Sequence, residues 1–170
     1  MAKKRAAAAH PSGVELDRLF ELADRDWEAG RLKSAFRLFR AAAKAGDTSS
    51  QINLGNFYDE GIGVKPNRRL ALYWYRRAYR SGERCGASNI AMLYLKDGKR
   101  DAATKWFERA VKLGDGDASL ELAKLYIQKG SRSKAIGYLE RVLRCEPMDV
   151  TASAVEEARG LIRDLRQRRS

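Results

Sequence analysis

The sequence contains a single histidine, His10, and it lies in the N-terminal stretch MAKKRAAAAHPSG. Without a second imidazole, histidine-based metal binding and histidine acid–base chemistry are excluded from the body of the chain. The two cysteines, Cys85 and Cys145, form no C-x-x-C motif and no regular pairing. That pattern argues against a disulfide framework and for two reduced thiols. No G-x-S-x-G and no cysteine–histidine pair is present. The glycines at Gly61 and Gly63 are not followed by the G-K-[ST] of a phosphate loop, and no strand pattern precedes them. No apolar run approaches the ~20 residues of a membrane span, and the N-terminus lacks the ~7–15-residue apolar core of a secretory signal. The expectation is a cytoplasmic, non-enzymatic protein with no catalytic residue, no cofactor and no metal. Asp59 and Glu60 are adjacent, so on a helix they diverge by about 100° and do not form a carboxylate pair.

What is present is a repeat. Ala35, Ala71, Ala103 and Ala135 open similar octets, AFRLFRAA, ALYWYRRA, ATKWFERA and AIGYLERV. Upstream of each runs a second set of anchors: Leu22-Ala23, Leu54-Gly55, Ile90-Ala91 and Leu122-Ala123. Tyr58, Tyr94 and Tyr126 follow the small residue at helical distance. Gly30, Gly61, Gly98 and Gly130 break the first segments, and Gly46, Gly82 and Gly114 close the second. Helical segments punctuated in this way are stacked helix–turn–helix units. Small residues admit close backbone approach, and the aromatics fill the space between hairpins. Trp74 and Trp106, repeated at helical spacing, therefore read as packing residues.

Along the chain, residues 1–12 are expected to be a disordered basic tail. A repeat domain over 13–146 follows, with repeats of about 15–46, 47–82, 83–114 and 115–146. Helices are predicted over 14–29, 32–45, 49–59, 68–80, 87–96, 101–113, 117–128 and 133–144, with Asp47, Asn67, Asp101 and Ser133 as N-caps. Pro147 interrupts the chain. A last helix over 150–168, with Val155, Ala158, Leu161, Ile162 and Leu165 at helical spacing, is predicted to cover the apolar end of the array, so that 147–170 is a capping helix with a basic tail.

The stretch LGNFYDEGIGVKPNRRLALYWYRRAYRSG resembles the Sel-1-like repeat, a relative of the tetratricopeptide repeat, in its small residue, tyrosine, glycine loop, proline and W-Y-R-x-A run. The other repeats look like shorter, degenerate members, and the resemblance covers residues 15–144. It implies an all-α, right-handed superhelix of four hairpins, with first helices on the concave side and second helices on the convex side. Secreted relatives with a disulfide in each repeat are a poor match, because the cysteines here do not recur with the repeat.

Taken opposite the buried stripes, the first helices present Asp17, Glu21, Asp24 and Glu28; Ser49, Asn53, Asn56 and Glu60; Cys85, Asn89, Met92 and Lys96; and Asp117, Glu121, Lys124 and Gln128. Of these, Asp24, Glu28, Asn53, Asn56, Glu60, Asn89, Met92, Lys96, Lys124 and Gln128 are the candidate lining of a peptide groove. An asparagine amide offers both a donor and an acceptor, matching a peptide group. The cations of a tetratricopeptide carboxylate clamp are missing, since Ile52, Asp117 and Glu121 stand in their places. The second helices differ. Lys33, Arg37, Arg40 and Lys44 form one stripe and Arg69, Arg76 and Arg80 another, with no acid among them. The net charge is +12, and residues 61–82 alone carry six cations and no acid. Two partners are therefore expected: a protein or peptide segment in the groove, or alternatively an anionic partner, nucleic acid or acidic protein, on the basic stripe and tails. With Tyr73 alone among the cations, base stacking is not supported.

Overall fold

The computed structural model of the chain describes residues 12–167. The basic tail expected at the N-terminus thus lies outside the described residues except for Ser12, as does the predicted end of the last helix at Arg168. The described residues form nine α-helices and no strand: α1 (Gly13–Glu28), α2 (Leu32–Ala45), α3 (Thr48–Glu60), α4 (Arg68–Arg80), α5 (Arg84–Lys96), α6 (Arg100–Lys112), α7 (Gly116–Gln128), α8 (Arg132–Arg144) and α9 (Ala152–Gln167). They fall into two compact units, residues 12–74 and 75–167, with the division inside α4.

The octets explain why second helices are buried on one stripe. The first, fifth and eighth positions lie on one helical face. Ala35, Phe39 and Ala42 on α2 are fully buried, as are Ala103 and Ala110 on α6 and Ala135, Leu139 and Val142 on α8. On α4 the equivalents Ala71, Tyr75 and Ala78 are likewise buried.

Turns within three of the hairpins, α1–α2, α5–α6 and α7–α8, repeat one hydrogen-bond pattern. At Gly98 the chain takes φ +71°, which a side chain would oppose. There the Gly98 N–H donates to Leu95 O at 2.8 Å and the Lys99 N–H to Tyr94 O at 2.9 Å. This paired return closes the first helix and leads at once into the second. Gly30 and Gly130 make the same pair of bonds. The tight entry overturns two expected N-caps. Lys99 and Ser131, not Asp101 and Ser133, precede α6 and α8, and neither makes a side-chain cap. Their ψ values of 65° and 68° depart from the extended backbone that a capping side chain requires.

Between hairpins the device is a glycine followed by an acid. Asp47 accepts from the Ser50 N–H at 2.5 Å as predicted. Glu83 accepts from the Cys85 N–H at 3.3 Å and Asp115 from the Ala118 N–H at 2.9 Å. The Glu83 cap starts α5 at Arg84, a turn earlier than the expected Ala87. Ser12 caps α1 reciprocally with Glu15.

In the first unit, Ala23, Ala35, Phe39 and Phe57 form a cluster with Phe20, Trp27, Phe36, Ile62 and Val64 against it. Its rings meet edge to face, with Trp27 and Phe57 centred 4.8 Å apart and Phe36 and Phe57 5.6 Å apart, an arrangement that adds about 0.5–1.5 kcal/mol per pair beyond burial. Trp74 is buried with Ala43 and Leu54. The Gly61–Pro66 loop is structural: Ile62 and Val64 pack into the cluster, and the Asn67 N–H donates to Tyr58 O at 2.7 Å.

In the second unit, α5, α6 and α7 share a core of Ala87, Ala91, Ala103, Phe107, Ala110, Leu122 and Leu125. Trp106 is half-buried, edge-on to Tyr79 at 5.3 Å, with Arg109 4.2 Å over its ring. The last helix covers α7 and α8, burying Ala154, Ala158 and Ile162 against Leu120, Ala123, Leu139 and Val142.

Candidate interaction surfaces

In the first unit, Asp24 and Glu28 are exposed on α1 on either side of Trp27, whose ring rests on Phe57 of α3. On α3, Asn53 and Asn56 are half-buried and Glu60 is exposed. Trp27 against Phe57 thus brings the acidic end of α1 beside the amide-bearing helix.

In the second unit, Asn89 is half-buried and Met92 exposed, and together they line a cleft of about 500 Å³. The Asn89 side chain has no hydrogen-bond partner among the described residues. Sequence reasoning missed the far wall of this cleft, which is the α8–α9 linker with Pro147, Met148, Val150 and Thr151. Arg84 holds that linker, donating to the Asp149 carboxylate and, at 2.9 Å, to Met148 O. The Gly116 N–H donates to Asp149 O at 2.8 Å. A Cβ at Gly116 would lie 2.6 Å from Val150 Cβ, so the linker can seat only against a glycine. Length was the available signal: this connection lacks the Gly–acid pair of the others and carries Pro147. Cys85 lines the same cleft. Although the residue is exposed overall, desolvation of its thiol, with the Glu83 carboxylate beside it, raises its pKa to about 11.

The remaining groove candidates are divided. Lys96 and Gln128 are exposed. Lys124 is engaged by Glu121 and by Glu157 of α9, each at 3.0 Å, and Asp117 accepts from Thr151. The capping helix therefore already occupies part of the α7 face.

On the second helices, Lys33, Arg37, Arg40 and Lys44 of α2 and Arg69, Arg76 and Arg80 of α4 are all exposed. Lys33, Arg37, Arg40, Arg69, Arg76 and Arg80 form no ion pair among the described residues. Where acids do occur on a second helix, they are engaged. Asp101 is 2.7 Å from Lys129, whose hydrogen bond holds the carboxyl below its ordinary pKa, and Glu108 accepts from Tyr126 Oη at 3.4 Å. A serine–lysine spacing, Ser131 to Lys134, opens α8, but no hydrogen bond joins the two among the described residues, and the Lys134 ammonium lies 5.2 Å over the Tyr126 ring.

Regular hairpins with buried alanine seams define a helical-repeat protein of the tetratricopeptide-like class. Residues 32–47 and 48–83 match the family model for the Sel1 repeat, and residues 88–113 match that for a tetratricopeptide repeat. The crystal structure of a Sel1 repeat protein from Oxalobacter formigenes is similar at 25% identity and a TM-score of 0.68, over 76% of this chain and 56% of that one. The protective antigen c5321 of uropathogenic Escherichia coli strains, which displays an SLR fold, is similar at 25% identity and a TM-score of 0.66, over 75% of this chain and 30% of that one. The chain thus spans about half the length of the first relative and about a third of the second. MamA, at 18% identity and a TM-score of 0.59 over 92% of this chain and 88% of its own, shares the fold alone. A comparison with curated proteins finds no match. The chain thus carries repeats similar to the Sel1 and tetratricopeptide repeats, and its fold is the all-α repeat solenoid expected from the sequence. Repeats of these families are in general protein–protein interaction modules and typically non-catalytic scaffolds. No helix among the described residues is long and apolar enough to cross a membrane.

Proposed function

We propose that the protein is a non-enzymatic adaptor that holds a protein or peptide segment on the faces of its first helices. The observation that carries this reading is the Asn89–Met92 cleft. It sets a half-buried amide without a hydrogen-bond partner among the described residues beside an exposed thioether. An amide can pair with a peptide group, and a methionine adapts to varied apolar side chains. The rigid hairpins hold these groups in place before binding, which limits the ordering entropy lost on association. Free thiols at Cys85 and Cys145 suit a reducing compartment such as the cytoplasm. The test is Asn56→Ala combined with Asn89→Ala, one change in each unit. Capture of a cross-linked protein partner from the native cell is expected to fall with the melting temperature unchanged. Undiminished capture rejects the reading.

A second reading, an anion-binding accessory role, is supported by the exposed cations of α2 and α4 that lack ion pairs. Such contacts are strongly salt-dependent. Arg37→Glu with Arg76→Glu is expected to abolish retention on heparin at moderate salt, and equal retention rejects this role.

A further inference from the structure

The first hairpin carries two charge stripes of opposite sign and identical spacing. On α1 the acids Asp17, Glu21, Asp24 and Glu28 follow one another at steps of four, three and four residues, and on α2 the cations Lys33, Arg37, Arg40 and Lys44 do the same. At 100° per residue each set lies within an arc of about 60°, and at ~1.5 Å per residue each is about 16 Å long. All eight residues are exposed, and both helices belong to the first compact unit. No acid occurs on α2. Arg18 and Arg25 of α1 stand to one side of the acidic arc, at least about 40° beyond its edge. The four acids and Lys33, Arg37 and Arg40 form no ion pair among the described residues, while Lys44 has a contact of its own. Neither stripe serves its own helix. Like charges at i, i+4 repel along a helix, and Glu28 at the end of α1 and Lys33 at the start of α2 stand where the helix dipole disfavours their sign.

We propose that the acidic stripe of α1 docks on the basic stripe of α2 in a second copy of this chain. The four-three-four spacing reads the same in both directions. Two helices lying side by side therefore set each carboxylate against a cation whether they run parallel or antiparallel. A second copy fits better than a foreign partner, because both halves of the contact, in matching register, are already present on one hairpin. The contact is heterologous: each copy offers its α1 face to one neighbour and its α2 face to the next, so copies join head to tail. The net charge of +12 opposes association of copies. Residues 12–74, however, hold ten cations and nine acids, so that repulsion arises almost wholly outside the unit that makes the contact. Exposed ion pairs are weak one at a time, which makes the assembly reversible and sensitive to salt. It leaves the Asn89–Met92 cleft untouched and rests on neither reading above, although it would compete with an anionic partner for Arg37.

Sedimentation velocity of the full chain over a roughly hundredfold range of concentration tests this. At about 50 mM salt, where the Debye length exceeds ~10 Å, the average mass is expected to rise with concentration to at least about twice that of one chain. At about 0.5 M salt, where screening is far shorter, it is expected to stay at that of one chain. Two charge-reversed variants follow. Asp17→Lys with Glu21→Lys and Asp24→Lys puts cations on both stripes, and Lys33→Glu with Arg37→Glu and Arg40→Glu puts acids on both. Each alone is expected to remain a single chain at the lower salt, with its helical circular dichroism unchanged. An equimolar mixture is expected to regain the wild-type mass, because each variant then meets its opposite on both faces. Both variants keep a net positive charge, so rescue reports the stripes and not overall attraction. Asp17→Asn with Glu21→Gln and Asp24→Asn, expected to weaken association at least tenfold, takes the place of a reversed variant that fails to fold. A wild-type chain that stays single at low salt, a variant that associates like the wild type, or a mixture without rescue overturns the proposal. The anion reading survives any of these if heparin retention still depends on Arg37 and Arg76.

Discussion

Two glycines inside helices show how differently the same residue can be used. Gly86 of α5 is buried, and a Cβ there would lie 2.6 Å from Tyr75 O and 2.7 Å from the Tyr79 backbone nitrogen. Gly137 of α8 is exposed, and a Cβ there would meet nothing within 4 Å. Gly86→Ala is therefore expected to destabilise by about 1–3 kcal/mol through overpacking. Gly137→Ala is expected to stabilise by about 0.5–1 kcal/mol, because alanine is the better helix former and no contact opposes it. Urea melts of the two variants check the opposite signs. A neutral Gly86→Ala would mean that the α4 backbone gives way.

Among the elements, the octet burial and the ends of α2 and α4 were legible in the sequence, because small and aromatic residues recurred at the helical period. Asp47 was legible as a cap because an acid follows a glycine directly. The same pair at Gly82-Glu83 and Gly114-Asp115 carried the signal that was missed. Asp101 and Ser133 are capping residue types, but the tight turns into α6 and α8 place them two residues past the N-cap position. Pro147 marked the break beyond α8, but how the linker is attached was not legible. Its attachment depends on Arg84, far away in sequence, and on Gly116, whose open flank has meaning only once the linker is folded against it. Arg84→Ala is expected to free the linker without unfolding α5, raising hydrogen exchange at the Gly116 amide about tenfold, since that amide donates to Asp149 O and local opening is set by the contacts that hold a segment. Unchanged exchange would show that Gly116 alone seats it.

For the whole molecule, the fold was legible and the partner surfaces only partly so. A repeat advertises its core many times over, whereas a binding face is written once. Lys124 shows the difference: its position on α7 marked it for the groove, but α9 comes back to engage it through Glu157. The charge, by contrast, was readable at once, because α4 carries five arginines and no acid. The glycine–acid junctions carry a final implication for the gene. Because Gly46-Asp47, Gly82-Glu83 and Gly114-Asp115 close one helix with the same backbone bonds and open the next on an acid, recombination between them would splice chain lengths in whole modules and keep the helix-closing bonds at every seam. The module ending at the Pro147 linker lacks this junction, so an exchange there would not reproduce the seam.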